Sequence, residues 1–486
     1  MQTWLSTITG YHFFLLFSLT VSMAPQRRPV LPRLPPHAGY HGALAQDGQP
    51  FFEGWYLRLV LPPAGGNNED GDGGGALSSM APSLDSFAFI YHVFDPHWPV
   101  SPRRGVGLQI LLPHQHMPDG NRYNAKEVSS TIRVEDSDVY RFRAASNELH
   151  IQNLFRGGSA FGLTSRRAWG RILPNRSGNL TTSVYFDFDL RPVVGWGGGA
   201  FARQYATEGF LAAFPVFEPH YQVLMSKGYA TGSVVVVESG NHNNATDNTK
   251  REYNFTDAVV YLEKNWGNSF PSMWFWIQAN TDFVVESFTQ ALPSNTSSTN
   301  GIEVCVTSTA ARRKLPLTQQ QEQVGLVALH VNGRFLPFST CQWDVAWGHW
   351  KVHGSDYQDY TVTLTGTCGN DNDDGFPVLC PTDAGMQPIA QETFCGRLRL
   401  ELFQGGELIL NATTGSACLE LGGLPWMEAD VVDTHLKKEN KATMSAWLGQ
   451  SEFVEPYKSI LLNQQLERVG SDVLATLNKF VRIPGL

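Results

Sequence analysis

Apolar and polar side chains alternate with a period of two at intervals along this chain. That alternation sends successive side chains to opposite faces of an extended strand. It is clear at 54–61 (GWYLRLVL), 86–93 (SFAFIYHV), 183–190 (SVYFDFDL) and 232–238 (GSVVVVE). It returns at 324–331 (VGLVALHV), 360–365 (YTVTLT) and 396–402 (GRLRLEL). These runs are rich in β-branched and aromatic residues, and Gly, Pro, Asn and Asp punctuate them. Short strands separated in this way predict a β-sandwich or β-barrel. No βαβ rhythm shows, and no Gly-rich phosphate loop follows a strand.

At 486 residues, the chain exceeds the roughly 250 residues that one β domain can reach. Two β halves are expected, at 37–222 and 223–430, between a targeting segment at 1–36 and a tail at 431–486. Residues 11–23 (YHFFLLFSLTVSM) are apolar and uncharged, too short for a comfortable membrane span, and small residues follow them. Arg27, Arg28 and Arg33 come next, with no acid before Asp47. That pattern fits a secretory signal, or a bipartite signal with a basic transit segment second. In the tail, Leu461, Leu462, Leu466, Val469, Val473, Leu474, Leu477 and Phe480 recur at three- and four-residue steps, predicting an amphipathic helix. Stretches 62–82, 239–251 and 367–391 have the composition of surface insertions.

Thirty-six Lys and Arg against 45 Asp and Glu give a net charge of −9, and no basic stripe interleaved with aromatics suits nucleic acid. The six cysteines lack CxxC spacing, which argues against zinc; Cys368 and Cys380 flank an Asp/Asn/Gly run and could bridge it in an oxidising compartment, or stay free. His114 and His116 form an H-x-H pair without a third ligand. No nucleophile elbow is present.

What stands out is thirteen Trp, gathered with acids in Gly- and Pro-rich junctions. Trp196 lies in RPVVGWGG, and Trp266, Trp274 and Trp276 in EKNWGNSFPSMWFWIQAN. Trp343, Trp347 and Trp350 lie in WDVAWGHW, and Trp55 in FFEGWY. Core packing explains any one of them; together they suit a wall around a large hydrophobic ligand. Glu53, Asp95, Glu218 and Asp344 accompany these aromatics. A carboxyl in an apolar wall resists ionisation and can serve as an acid near neutral pH; pairing with Arg is the commoner fate of a buried acid. His220 stands two residues from Glu218, on the same side of an extended segment unless Pro219 bends it.

These junctions carry a resemblance. PFFEGWYLRL, FAFIYHVFDP, GVGLQILLP, RPVVGWGG, GFLAAFPVFEPHYQ, EKNWGNSFPSMWFWIQAN, WDVAWGHW, CGRLRLEL and LELGGLPW stand in the order seen in tocopherol cyclases, over about 36–426. The chain resembles that family. The resemblance implies two packed lipocalin-like antiparallel β-barrels, to which the sequence adds the C-terminal amphipathic helix. It implies cyclisation of a phytyl benzoquinol to a chromanol in plastids near lipid, with a secretory or ER location as the alternative. The phenol O–H adds across the first alkene of the prenyl tail, so no redox cofactor or metal is required. The expected partners are a hydrophobic prenylquinol and a lipid or membrane surface that supplies it. On this basis Glu218, or alternatively Asp344, is the expected proton donor, and His220 relays or removes the phenolic proton. Trp196, Trp266, Trp276 and Trp347 line the cavity and stabilise the cation; Trp55 and Trp274 join the binding surface. Asn265 and Glu53 hold the quinol head. The other readings are a hydratase of a terminal polyene alkene and a non-catalytic lipid carrier.

Overall fold

Among the described residues, twenty-two strands form in chain order in the computed structural model. It describes residues 40–423 apart from 43–46, 64–83, 102, 114–126, 133–136, 143–148, 156–157, 174–181, 198–204, 209–218, 239–248, 290–301, 315–320, 339, 357–358, 369–374 and 383–384. The targeting segment, the tail helix, Glu218 and the His114/His116 pair therefore lie outside the described residues.

The first sheet holds β1 (Phe52–Val60), β2 (Ser86–Phe94), β3 (Gly105–Leu111), β4 (Glu127–Ile132), β5 (Ser137–Phe142), β6 (His150–Phe155), β7 (Ala160–Thr164), β8 (Arg167–Ile172), β9 (Thr182–Val194), β10 (His220–Glu238) and β11 (Thr249–Gly267). The second holds β12 (Met273–Ala279), β13 (Val284–Phe288), β14 (Val304–Lys314), β15 (Gln321–Val331), β16 (Arg334–Phe338), β17 (Thr340–Ala346), β18 (His349–Ser355), β19 (Tyr360–Thr367), β20 (Phe376–Thr382), β21 (Gly385–Gln404) and β22 (Glu407–Gly422). Every strand pairing is antiparallel.

Both sheets must curl. The first runs in the order β4-β3-β2-β1-β11-β10-β9-β8-β7-β6-β5. If flat, its edges would stand roughly 48 Å apart, at about 4.8 Å per strand. Those edges, β4 and β5, are consecutive in the chain, and the link from Ile132 to Ser137 reaches at most about 18 Å. The second sheet's main path, β16-β15-β14-β12-β22-β21-β19-β18-β17, also ends on consecutive strands, with one residue between Phe338 and Thr340. The fold is all-β, two curled antiparallel barrels.

Alternation along the strands sorts side chains between the barrel interiors and a third layer. Trp55, Leu57 and Leu59 of β1 and Val260, Leu262 and Trp266 of β11 fill the first barrel. Phe275 and Ile277 of β12 and Leu419 and Leu421 of β22 fill the second. The intervening residues, including Tyr56, Tyr261, Trp274, Trp276 and Cys418, form a separate buried cluster where the outer faces of the barrels meet.

Two expectations need correction. The divide at 222/223 falls inside β10; the sheets change over between Gly267 and Met273, because the long β10 and β11 both pair within the first sheet. The expected insertion at 367–391 contains β20 and the start of β21, and Phe376, Val378, Cys380 and Ala390 are buried in the inter-barrel layer. Among the described residues no disulfide joins Cys368 to Cys380, and none involves Cys305, Cys341, Cys395 or Cys418.

Candidate active site between the barrels

Three glutamates converge on the inter-barrel layer. Glu263 follows Tyr261 at the two-residue step of β11, so both leave the first barrel and face the second. Glu392 on β21 and Glu420 on β22 are cross-strand partners, and Trp276 on β12 pairs with Glu420 in the same row. A single strip of the second sheet therefore presents two carboxyls and an indole toward Glu263.

Each carboxyl is held by aromatic or thiol donors. Glu263 accepts hydrogen bonds from Tyr221 Oη at 2.5 Å, Tyr261 Oη at 2.6 Å and Trp276 Nε1 at 3.1 Å. Glu392 accepts from the Tyr56 hydroxyl, which crosses from the first barrel, and from the Cys418 thiol. Glu420 accepts from the Trp274 indole. The Tyr56 ring meets the Trp276 ring edge-on at 5.1 Å.

Burial dominates the electrostatics. It lifts Glu263 to about 7, against the pull of its three donors and with a smaller push from Glu392. Glu392 is likewise lifted by burial to about 7, while Cys418, Tyr56 and Arg58 pull it down. Glu420, partly exposed, is raised well above the carboxylate range by burial and then by the charges of Glu392 and Glu263. Burial also pushes the hydroxyls of Tyr56, Tyr221 and Tyr261 up, so they remain donors. Near neutral pH the site thus holds carboxyls poised between acid and base forms beside indole rings.

A buried cation stands beside Glu392. Arg58 is fully buried and spans both barrels. It donates to Gln278 Oε1 at 2.8 Å, to the Ser416 carbonyl at 2.8 Å and to Ser86 Oγ at 3.3 Å, and it lies 5.7 Å over the Phe394 ring. Its charge favours the ionised form of Glu392.

The residues singled out in the sequence fall into three places. Trp196, Trp274 and Trp276 are buried in the inter-barrel layer. Asn265, half-buried, lies on the same face of β11 as Glu263. Glu53, Trp55, Trp266 and His220 gather instead at one end of the first barrel. There Glu53 pairs with Lys264 and accepts from the backbone and ring of His41. Trp266 lies between the rings of His41, at 4.2 Å, and His220, at 5.0 Å, and His220 Nδ1 is 3.0 Å from Glu208. The Lys264 ammonium sits 5.0 Å over Trp55 and 4.7 Å over Trp266, with its pKa lowered by burial to about 8. Glu53 is thus an ion-paired carboxylate away from the three glutamates.

Trp347 and Asp344 belong to the second barrel. Trp347 packs on Trp350 at 5.4 Å. The Asp344 side chain is 45% exposed, 3.9 Å from His349. The apolar surround expected for it is not met, because the β17–β18 hairpin carries it to the surface. Asp95 took the alternative fate foreseen for buried acids. Arg103 grips both its oxygens at 2.9 Å, and it accepts from the Phe51 backbone and Ser101.

Glu263, Glu392 and Glu420 were not singled out in the sequence. The signal was an acid inside a strand whose neighbours are apolar on both faces: VVYLEKNW for Glu263 and CLELGG for Glu420. A strand that buries both faces has no solvent side on which to place a charge. Glu392 directly follows the stretch 367–391 taken for an insertion.

A family model described as tocopherol cyclase-like matches residues 77–423. The chain is 29% identical over 435 residues to "Probable tocopherol cyclase, chloroplastic" of Oryza sativa subsp. japonica, covering 80% of this chain and 79% of that protein. It is 29% identical over 434 residues to "Tocopherol cyclase, chloroplastic" of Zea mays, covering 80% and 78%. Among solved structures it is similar to CghA, with 8% identity, coverage of 77% of this chain and 88% of that one, and a TM-score of 0.42. The family model covers well over half of the sequence and takes in all three of these glutamates, so the chain belongs to the tocopherol cyclase-like family.

Proposed function

We propose that this enzyme closes a chromanol ring on a prenylated benzoquinol at the junction of its two barrels. The observation that carries the reading is the set of carboxyls there, lifted by burial toward neutral pH and held against indole and phenol rings. The reaction is redox-neutral. Glu263 delivers a proton to the first alkene of the tail, at the carbon that leaves a tertiary cation on its neighbour. Its three donors stabilise the carboxylate this creates. The phenol oxygen bonds to the cation, and Glu392, whose ionised form Arg58 favours, takes the phenolic proton. Glu420 senses both acids and pairs across the strands with Glu392, which suits it to return the proton to Glu263. The faces of Trp274 and Trp276 attract positive charge, and the packed rings keep out water that would quench the cation.

The two named relatives are chloroplastic by their descriptions. A plastid location, reached through the N-terminal presequence, and substrate supply from a lipid surface are part of this proposal.

The test is purified protein given a phytyl benzoquinol, with products separated by chromatography. Chromanol is the expected product. A tertiary alcohol would identify a hydratase, and bound but unconverted quinol a carrier. Glu263→Gln and Glu392→Gln are each expected to lower turnover by about 10²–10⁴-fold, the usual worth of a positioned acid or base. Full turnover in both variants, with the fold retained, would remove these carboxyls from the mechanism.

A further inference from the structure

In addition to the glutamates, the inter-barrel layer holds two buried polar atoms with no hydrogen-bond partner among the described residues: Nε1 of Trp196 and Nε2 of His330. Trp196 is 2% exposed and His330 3%. Their rings stand 6.0 Å apart at a steep angle, and Phe335 packs on both, at 5.2 Å from Trp196 and 4.8 Å from His330. His330 shares its face of β15 with Leu326 and Ala328, both in the inter-barrel cluster. A buried polar group without a partner is costly, and two of them on rings that pack on each other and on Phe335 point to a group that completes them.

The chemistry of the two atoms selects that group. An indole nitrogen can only donate. The His330 ring hydrogen-bonds the backbone of Gly195, and burial drives its pKa down to about 3, so the imidazole is neutral. In the tautomer that donates to the Gly195 carbonyl, Nε2 can only accept. A hydroxyl meets both demands with one oxygen, accepting from Trp196 and donating to His330. A carboxylate or ketone cannot donate, and an ammonium cannot accept. The walls of Trp196, Phe335 and His330 favour a flat ring on that hydroxyl over an alkyl chain.

We propose that Trp196 and His330 form a subsite for a phenolic hydroxyl. Resting on the cyclase reading, this is the quinol hydroxyl that ring closure leaves unconsumed, and the subsite selects substrates that keep it free.

Two arms test this. In the first, calorimetry measures binding of a methylated hydroquinone without a prenyl tail, which needs no turnover. The intact protein is expected to bind it, while Trp196→Phe and His330→Phe weaken binding about 10-fold or more and His330→Gln, which restores an acceptor, recovers part of the loss. In the second, prenyl quinol is compared with its methyl ether at the non-reacting oxygen. That ether can accept from Trp196 but cannot donate to His330. The intact enzyme is expected to disfavour it by at least about 10-fold in kcat/KM, and His330→Phe to erase the preference. If His330→Phe does not fold, Trp196→Phe carries the binding arm alone. Equal use of quinol and ether, or hydroquinone binding that neither variant alters, would mean that these atoms hold only water and would overturn the subsite. Hydroquinone binding that depends on both residues without any chromanol would uphold the subsite while sinking the cyclase reading.

Discussion

The Tyr56 hydroxyl leaves the first barrel and ends on Glu392 of the second, so one hydrogen bond couples the fit of the barrels to the charge of an acid. That bond lowers the Glu392 pKa, against the larger lift from burial. Tyr56→Phe therefore raises the Glu392 pKa further. If Glu392 must be ionised to receive the phenolic proton, the acidic limb of the kcat/KM profile moves to higher pH in this variant. The basic limb, set by a protonated Glu263, moves less, since Tyr56 makes no bond to Glu263. A profile shifted on its basic side alone would reverse the two roles. At this scale the sequence was legible in part. The Trp-rich junctions marked Trp274 and Trp276 because bulky aromatics are rarely left exposed. The choice among acids was not legible. It depends on which carboxyl a strand register turns toward the other barrel, and 129 residues separate Glu263 from its neighbour Glu392 (392 − 263).

At the scale of strands, β22 carries much of the site. It pairs with β12, β13 and β21 and brings Cys418 and Glu420 into the layer. Its end is shaped by Gly422, opposite Trp274: a Cβ there would lie 2.0 Å from the indole. The Trp274 ring is boxed in by Phe270 at 4.9 Å and tied to Glu420, so it has little room to yield. Gly422→Ala is expected to cost about 1–3 kcal/mol of stability, as overpacking does, and to reduce turnover by displacing the indole from Glu420. Thermal unfolding with turnover measured below the midpoint separates the two effects. Unchanged values for both would show that the ring moves freely. The LELGG motif signalled a strand ending in glycines, but the reason for Gly422 is Trp274 on a partner strand 148 residues earlier (422 − 274). β20 was missed for a related reason. Pro377 and Pro381 interrupt its pattern, and pairing with β21 alone suffices to hold it as an edge strand.

For the whole molecule, the acids between the barrels tie stability to pH. The alternation in the sequence was enough to read a β-sandwich or barrel, and the family resemblance implied two barrels, yet neither could say that their shared boundary would bury ionisable groups, because that follows only once both outer faces are in contact. Glu263 and Glu392 ionise near 4.5 when unfolded and at about 7 in the native protein. Below about pH 4.5 they are protonated in both states and do not affect the balance. Between about 4.5 and 7 the unfolded chain has released protons that the native protein retains, so each rise in pH favours unfolding. Each group costs up to about 1.4 kcal/mol per pH unit over that window, and the loss levels off once the native carboxyls have ionised. Glu420, shifted in the same direction, adds to the decline. Urea unfolding at pH 5.5 and pH 8 is therefore expected to give the lower midpoint at pH 8, with Glu263→Gln and Glu392→Gln each flattening the difference. A midpoint that held steady or rose across this range would mean that the three carboxyls are ionised within the fold, leaving no protonated acid between the barrels to start ring closure.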